Sequence, residues 1–110
     1  MKKNRLGEFQ ELILMTVIVL QDDAYGNEIQ RDLEKRLNER LSVGAIQTAL
    51  KRMVEKGYLT SEWGEATQIR GGKRKRIYSA TPHALQVLKE IKDIRSQLWD
   101  AMPKLITNDI

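Results

Sequence analysis

The stretch Arg70-Gly71-Gly72-Lys73-Arg74-Lys75-Arg76-Ile77-Tyr78 decides how this 110-residue chain is read. Five of its first seven residues are cations, with two adjacent glycines among them. Cations crowded this closely repel one another, which costs stability unless a polyanion neutralises them. Gly71 and Gly72 allow a tight turn and a close backbone approach to a phosphate or a narrow groove. Lys73 to Ala80 reads as a strand, and Tyr58 to Trp63 upstream has the aromatic and β-branched content of its partner. A polar loop from Gly64 to Gly72 joins them, so the segment is a cationic hairpin.

Helices flank it on both sides. Val43 to Lys56 places Ile46, Ala49, Leu50, Met53 and Val54 on one helical face, with Gly44, Thr48, Lys51, Arg52 and Glu55 around the other. Ser42 is the expected N-cap and Gly57 the C-terminal stop. Leu41-Ser42 forms the turn from a preceding helix, about Ala24 to Arg40, whose Tyr25, Ile29, Leu33 and Leu37 recur at i, i+4 and whose expected cap is Asp23. The first helix, Glu8 to Leu20, is apolar around nearly its whole circumference. A domain this small covers such a helix on one side only, so a second partner surface is expected. Downstream, Thr81-Pro82 marks the start of a last helix that runs to about Met102, where Pro103 ends it. Its residues Leu88, Ile91, Leu98, Met102 and Leu105 have coiled-coil-like spacing that Arg95 interrupts. A helix of roughly 33 Å overhangs so small a body. The expected partner is a second copy, in a two-fold dimer that packs the first and last helices together.

Charge is distributed unevenly. Lys51 to Arg76 holds eight cations against three anions, a surplus of five in a chain whose net charge is +4, so the other 84 residues carry −1. One basic edge on a near-neutral body fits a polyanion-binding footprint. The absence of cysteine excludes disulfides and thiolate metal sites. The single histidine, His83, excludes paired-histidine zinc motifs and has no nucleophile beside it. The carboxylates fall mostly at i, i+3 and i, i+4 from cations, as on solvated helix faces. No catalytic residue, metal or cofactor is expected, and the chain is not read as an enzyme. The most apolar run, Leu12 to Leu20, is too short to span a membrane and lacks the features of a signal peptide, so a cytoplasmic location is expected.

The expected fold class is α+β, mainly α: a winged helix-turn-helix with an additional long C-terminal helix. Residues 1–80 would form the DNA-binding domain, and 81–110 a C-terminal dimerisation helix and tail. In such units the second helix of the pair enters the major groove. Gly44 and Ala45 would allow close approach, and Gln47 and Thr48 would hydrogen-bond bases or phosphates. Lys51 and Arg52 are better placed for phosphates, and Lys73, Arg74, Lys75 and Arg76 would straddle phosphates or the adjacent minor groove. Trp63 is expected to pack on the hairpin or against the third helix. Trp99 is expected to pack in the dimer interface, the alternative being that with Met15 it lines an interface pocket for a small flat aromatic effector. The rival function is a protein–protein module with an incidental basic hairpin. RNA binding is disfavoured, because single-strand readers need exposed stacking platforms and only Tyr58, Trp63 and Tyr78 lie near the basic zone.

Over about residues 6–102 the chain resembles the PadR family of transcriptional regulators, in its short form with a single C-terminal helix. The resemblance is carried by Tyr25-Gly26-Asn27-Glu28-Ile29, by Val43-Gly44-Ala45-Ile46, and by Leu50 through Leu59. Gly64-Glu65, then Arg70 to Arg76 with Tyr78, and Thr81-Pro82 complete it. It implies a winged helix-turn-helix homodimer that represses transcription from a roughly palindromic operator and that, in some relatives, is released by a small aromatic or cationic effector. Three positions depart from the family pattern. Gln47 stands where a tyrosine with an expected phosphate contact is usual, Ile77 replaces the first of two paired aromatics, and Ala84 replaces a glycine.

Overall fold

The computed structural model describes residues 6–64 and 75–104. Four α-helices and one antiparallel hairpin follow in the order α1 (Glu8–Leu20), α2 (Gly26–Leu37), α3 (Val43–Glu55), β1 (Leu59–Trp63), β2 (Arg76–Ala80) and α4 (Pro82–Ala101). The fold is α+β and mainly α, as the sequence pattern requires.

The core lies where α1, α2, α3 and the base of the hairpin meet. Ile13, Leu14 and Val17 of α1, Ile29 and Leu33 of α2, and Ile46, Ala49, Leu50 and Met53 of α3 are buried there with Tyr58, Leu59 and Tyr78. Each large side chain removed from water contributes about 1.5–3 kcal/mol before entropy is counted. Among the described residues, no buried side-chain polar atom lacks a hydrogen-bond partner.

Local signals set most boundaries. The Ser42 hydroxyl accepts from the Ala45 N–H at 3.2 Å and caps α3. Gly57 takes φ +82°, a left-handed conformation that lets the chain leave α3 and enter β1 at once. Thr81 caps α4 by accepting from the Ala84 N–H at 3.1 Å, and its hydroxyl donates to the Gly57 carbonyl at 2.7 Å. One side chain thus starts α4 and ties it to the end of α3. Between α2 and α3, Glu34 accepts from the Leu41 N–H at 2.8 Å and Gln30 donates to the Leu41 carbonyl at 3.0 Å. Both polar groups of that turn residue are satisfied by α2, so the angle between the two helices is held.

The expected start of α2 is corrected. Asp23 does not cap it: Gln21–Asp23 form a short 3-10 turn, and Ala24 and Tyr25 stay outside the helix, Ala24 in a tight turn with φ −79° and ψ 62° and Tyr25 extended. They do so because β2 takes them as a further edge. The Tyr78 N–H donates to the Ala24 carbonyl at 2.9 Å, and Tyr25 bridges to Ile77. The helix also stops at Leu37 rather than Arg40, because Asn38 adopts a left-handed conformation with φ +55°.

In the hairpin, Leu59 pairs with Ala80, Ser61 with Tyr78 and Trp63 with Arg76. Cross-strand partners share a face, so these six residues form its inner side. Exposure climbs along that side from 2% at Leu59 to 56% at Trp63 as the hairpin leaves the body. The expected strand from Lys73 is shorter, beginning at Arg76, and Lys73 and Arg74 lie outside the described residues.

Helix α4 rests on the body only through its first half. Ala84 is buried, Val87, Leu88 and Ile91 are half-buried, and every residue from Lys92 to Ala101 is exposed. Arg95, which breaks the apolar spacing, reaches back to α1, where its guanidinium meets the Glu11 carboxylate at 2.9 Å. Glu11 is only 6% exposed, so the pair holds a buried carboxylate that would otherwise stand without its cation. Arg95→Ala is expected to lower stability by about 1 kcal/mol, a modest value because the arginine itself is solvated. Adding Glu11→Gln should recover part of the loss in urea unfolding at fixed protein concentration.

Candidate nucleic-acid interface

Burial of the Ile46, Ala49, Leu50 and Met53 face turns the opposite side of α3 outward. Gly44, Ala45, Gln47, Thr48, Lys51 and Arg52 are all exposed. They divide between two open clefts. Gln47, Thr48 and Lys51 line one of about 500 Å³ with Val54, Glu55 and, from the hairpin, Ser61, Arg76 and Tyr78. Gly44, Ala45, Thr48 and Arg52 line another of about 620 Å³ that runs toward the start of α1 and includes Lys56. Thr48 belongs to both and so occupies the middle of the exposed face.

A third cleft, of about 440 Å³, joins Gln47 to Lys75 and Arg76 across the start of α2, with Gly26, Asn27 and Trp63 in its wall. A Cβ at position 26 would stand 2.9 Å from Gln47 Nε2, the mobile tip of an exposed side chain that would have to swing aside. Glycine at this position leaves room for the Gln47 amide over the start of α2. The structure brings Gln47, Lys75 and Arg76 together, while Gly44, Ala45 and Arg52 face the other way along the same surface. Lys73 and Arg74 lie outside the described residues.

Several wall residues were not singled out as site residues from sequence, Ser61 and Tyr78 among them. Ser61 and Tyr78 enter the cleft because the hairpin register puts them opposite each other on the inner face. Burial pushes the Tyr78 phenol up from its ordinary pKa, with Arg76 partly opposing the shift, so it stays a neutral donor at physiological pH. The alternation of strand residues was available as a signal, but only the pairing partner shows which parity points inward. Trp63 packs on the hairpin: the Arg76 guanidinium lies 4.5 Å from its ring centroid. Tyr58 is buried and stacked on His83, with 5.3 Å between ring centroids.

A separate cleft of about 630 Å³ opens between α1 and α4. Met15 and Trp99 both line it, with Glu11, Leu88, Lys92 and Arg95 among the other wall residues. Among the described residues no cluster of histidine and carboxylate groups could hold a metal, and no helix is long and apolar enough to cross a membrane.

Known proteins share this architecture. A PadR-family transcriptional regulator from Eggerthella lenta is 25% identical, with 90% of this chain and 86% of that one aligned at a TM-score of 0.66. A PadR-family regulator from Clostridium difficile is 26% identical over 87% of this chain and 97% of its own, at a TM-score of 0.62. RosR from H. salinarum, at 22% identity, is alike in fold, with 98% and 96% of the two chains aligned and a TM-score of 0.70. Among curated proteins none matches the chain significantly. The sequence profile of the transcriptional regulator PadR-like family matches residues 14–90, from the buried middle of α1 through the hairpin into α4. That span takes in α2, α3 and the hairpin strands whose clefts are described above, and the chain belongs to the PadR-like family of transcriptional regulators.

Proposed function

We propose that the protein is a homodimeric, sequence-specific DNA-binding repressor of the cytoplasm, and not an enzyme. The observation that carries this reading is that the outward face of α3 and the inner face of the hairpin, with its Arg76, line shared clefts. Gln47, Thr48 and Lys51 stand on one side and Arg76 on the other. A rigid helix flanked by a basic hairpin matches a major groove and the phosphates beside it. In this reading Gly44 and Ala45 allow close approach, Gln47 and Thr48 read base edges, and Lys51 and Arg52 hold phosphates. Lys73, Arg74, Lys75 and Arg76 straddle phosphates or the adjacent minor groove.

Residues 1–80 then act as the DNA-binding domain and 81–110 as the dimerisation helix and tail. Dimerisation is supported by the apolar residues left in water: Met15, Ile18 and Val19 on α1, and Ile94, Leu98 and Trp99 on α4 are all exposed. Two copies packed on these faces would cover them and set two α3 helices on successive turns of one duplex. The cleft between Met15 and Trp99 would receive a small aromatic effector that changes the separation of the two reading helices. The repressor reading rests on the likeness to the PadR-like family of transcriptional regulators.

Duplex DNA at low salt is expected to give a gel-shift, and affinity should fall roughly 10³–10⁵-fold between 50 and 200 mM salt for a dimer using 6–10 phosphate contacts. Arg74→Ala with Lys75→Ala should weaken binding to every sequence and flatten that dependence. Gln47→Ala or Thr48→Ala should instead alter the site recovered by in-vitro selection, with the salt slope kept. Unshifted DNA would leave the protein–protein module as the better account. For the effector cleft, planar aromatic compounds should quench tryptophan emission, and Trp99→Phe should abolish the quenching; equal quenching in the variant would remove the cleft from the mechanism.

A further inference from the structure

Trp63 is a large aromatic side chain left more than half exposed on a hairpin, with no core to fill. Its described partner is Arg76, directly opposite on β2, whose guanidinium lies over the indole at 4.5 Å from the ring centroid. The same guanidinium donates from Nη1 to the Ser61 hydroxyl at 3.0 Å, one diagonal step along the strand pair. Arg76 is therefore held on two sides by neutral groups. Neither cancels its charge, as a carboxylate would. The indole takes the flat face of the guanidinium and Ser61 takes one edge, so with respect to the described residues the remaining N–H groups are open to an anion. Arg76 lines both clefts between the hairpin and the Gln47 side of α3, which is where a phosphate would pass.

We propose that Trp63 is a positioning residue for DNA binding, holding Arg76 in the conformation that meets a backbone phosphate beside α3. This rests on the DNA-binding reading and adds to it a residue that carries no charge. A freely rotating arginine loses side-chain freedom when it docks, whereas one already stacked and hydrogen-bonded loses less. The gain comes from order and not from added charge, and that separates it from a simple phosphate contact.

The test uses the full chain and a duplex recovered by it from a random pool, with affinity followed as a function of salt. Trp63→Ala is expected to weaken binding about two- to fivefold per hairpin, the size of an exposed cation–π contact. The salt slope should not change, because no cation is removed. Trp63→Phe should retain most of the affinity. Arg76→Lys keeps the charge but loses the planar fork, and it should match Trp63→Ala. Arg76→Ala should weaken binding and flatten the slope, and Trp63→Ala added to it should cost nothing more. Wild-type affinity in Trp63→Ala, or losses that multiply in the double variant, would overturn the proposal while leaving DNA binding intact. Failure of the unaltered protein to bind any duplex would overturn both.

Discussion

The third helix has two faces that cannot both be wet or both be dry, and the rest of the molecule is arranged around that constraint. Ile46, Ala49, Leu50 and Met53 are buried against the other helices and the base of the hairpin. A helix is rigid on this scale, so burying one face fixes the direction of the other. Gly44, Thr48, Lys51 and Arg52 point outward as a consequence of core packing. The turn that precedes the helix is held by Glu34 and Gln30, and the turn that follows is released by Gly57. These devices set the helix against the hairpin at a defined angle, and the clefts are what that angle leaves open.

Electrostatics follow the same division. The ion pairs Arg31–Glu28, Arg36–Asp32, Lys89–Asp93 and Arg95–Glu11 lie on α1, α2 and α4. In the cleft, Arg76 is engaged by a hydroxyl and an aromatic ring. Among the described residues, these pairs lie on the body, while Arg76 of the hairpin meets neutral groups that leave its charge in place. Exposed pairs of the first kind add little stability, and their use is to keep the remainder of the surface near neutral.

A second demand comes from α1 and α4, which bury one side of themselves in the fold and leave apolar side chains on the other. The link between them is economical: Arg95, placed at what would be an apolar position of α4, crosses to Glu11 and holds the long helix onto the short one. A cleft lined by Met15 and Trp99 runs along the same pair of helices.

Much of this was legible in residue order, because helix periodicity, end caps and charge clustering are local properties. The span of α1, the Ser42 and Thr81 caps, the stop at Gly57 and the two faces of α3 needed no knowledge of the fold. What failed was also physical in origin. Asp23 had the chemistry of a cap, but β2 pairs with Ala24 and Tyr25 and keeps them out of the helix, a contact more than fifty residues away in the chain. Arg95 read as an interruption because its partner Glu11 lies on another helix. Ser61 could not be assigned to the cleft until the register with Tyr78 showed which side of the strand faced inward. Secondary structure and the identity of the basic edge depend on neighbours within one helical turn or one hairpin, and a linear reading reaches that far. The convergence of Gln47, Arg76, Ser61 and Trp63 depends on distances between elements, which only packing sets.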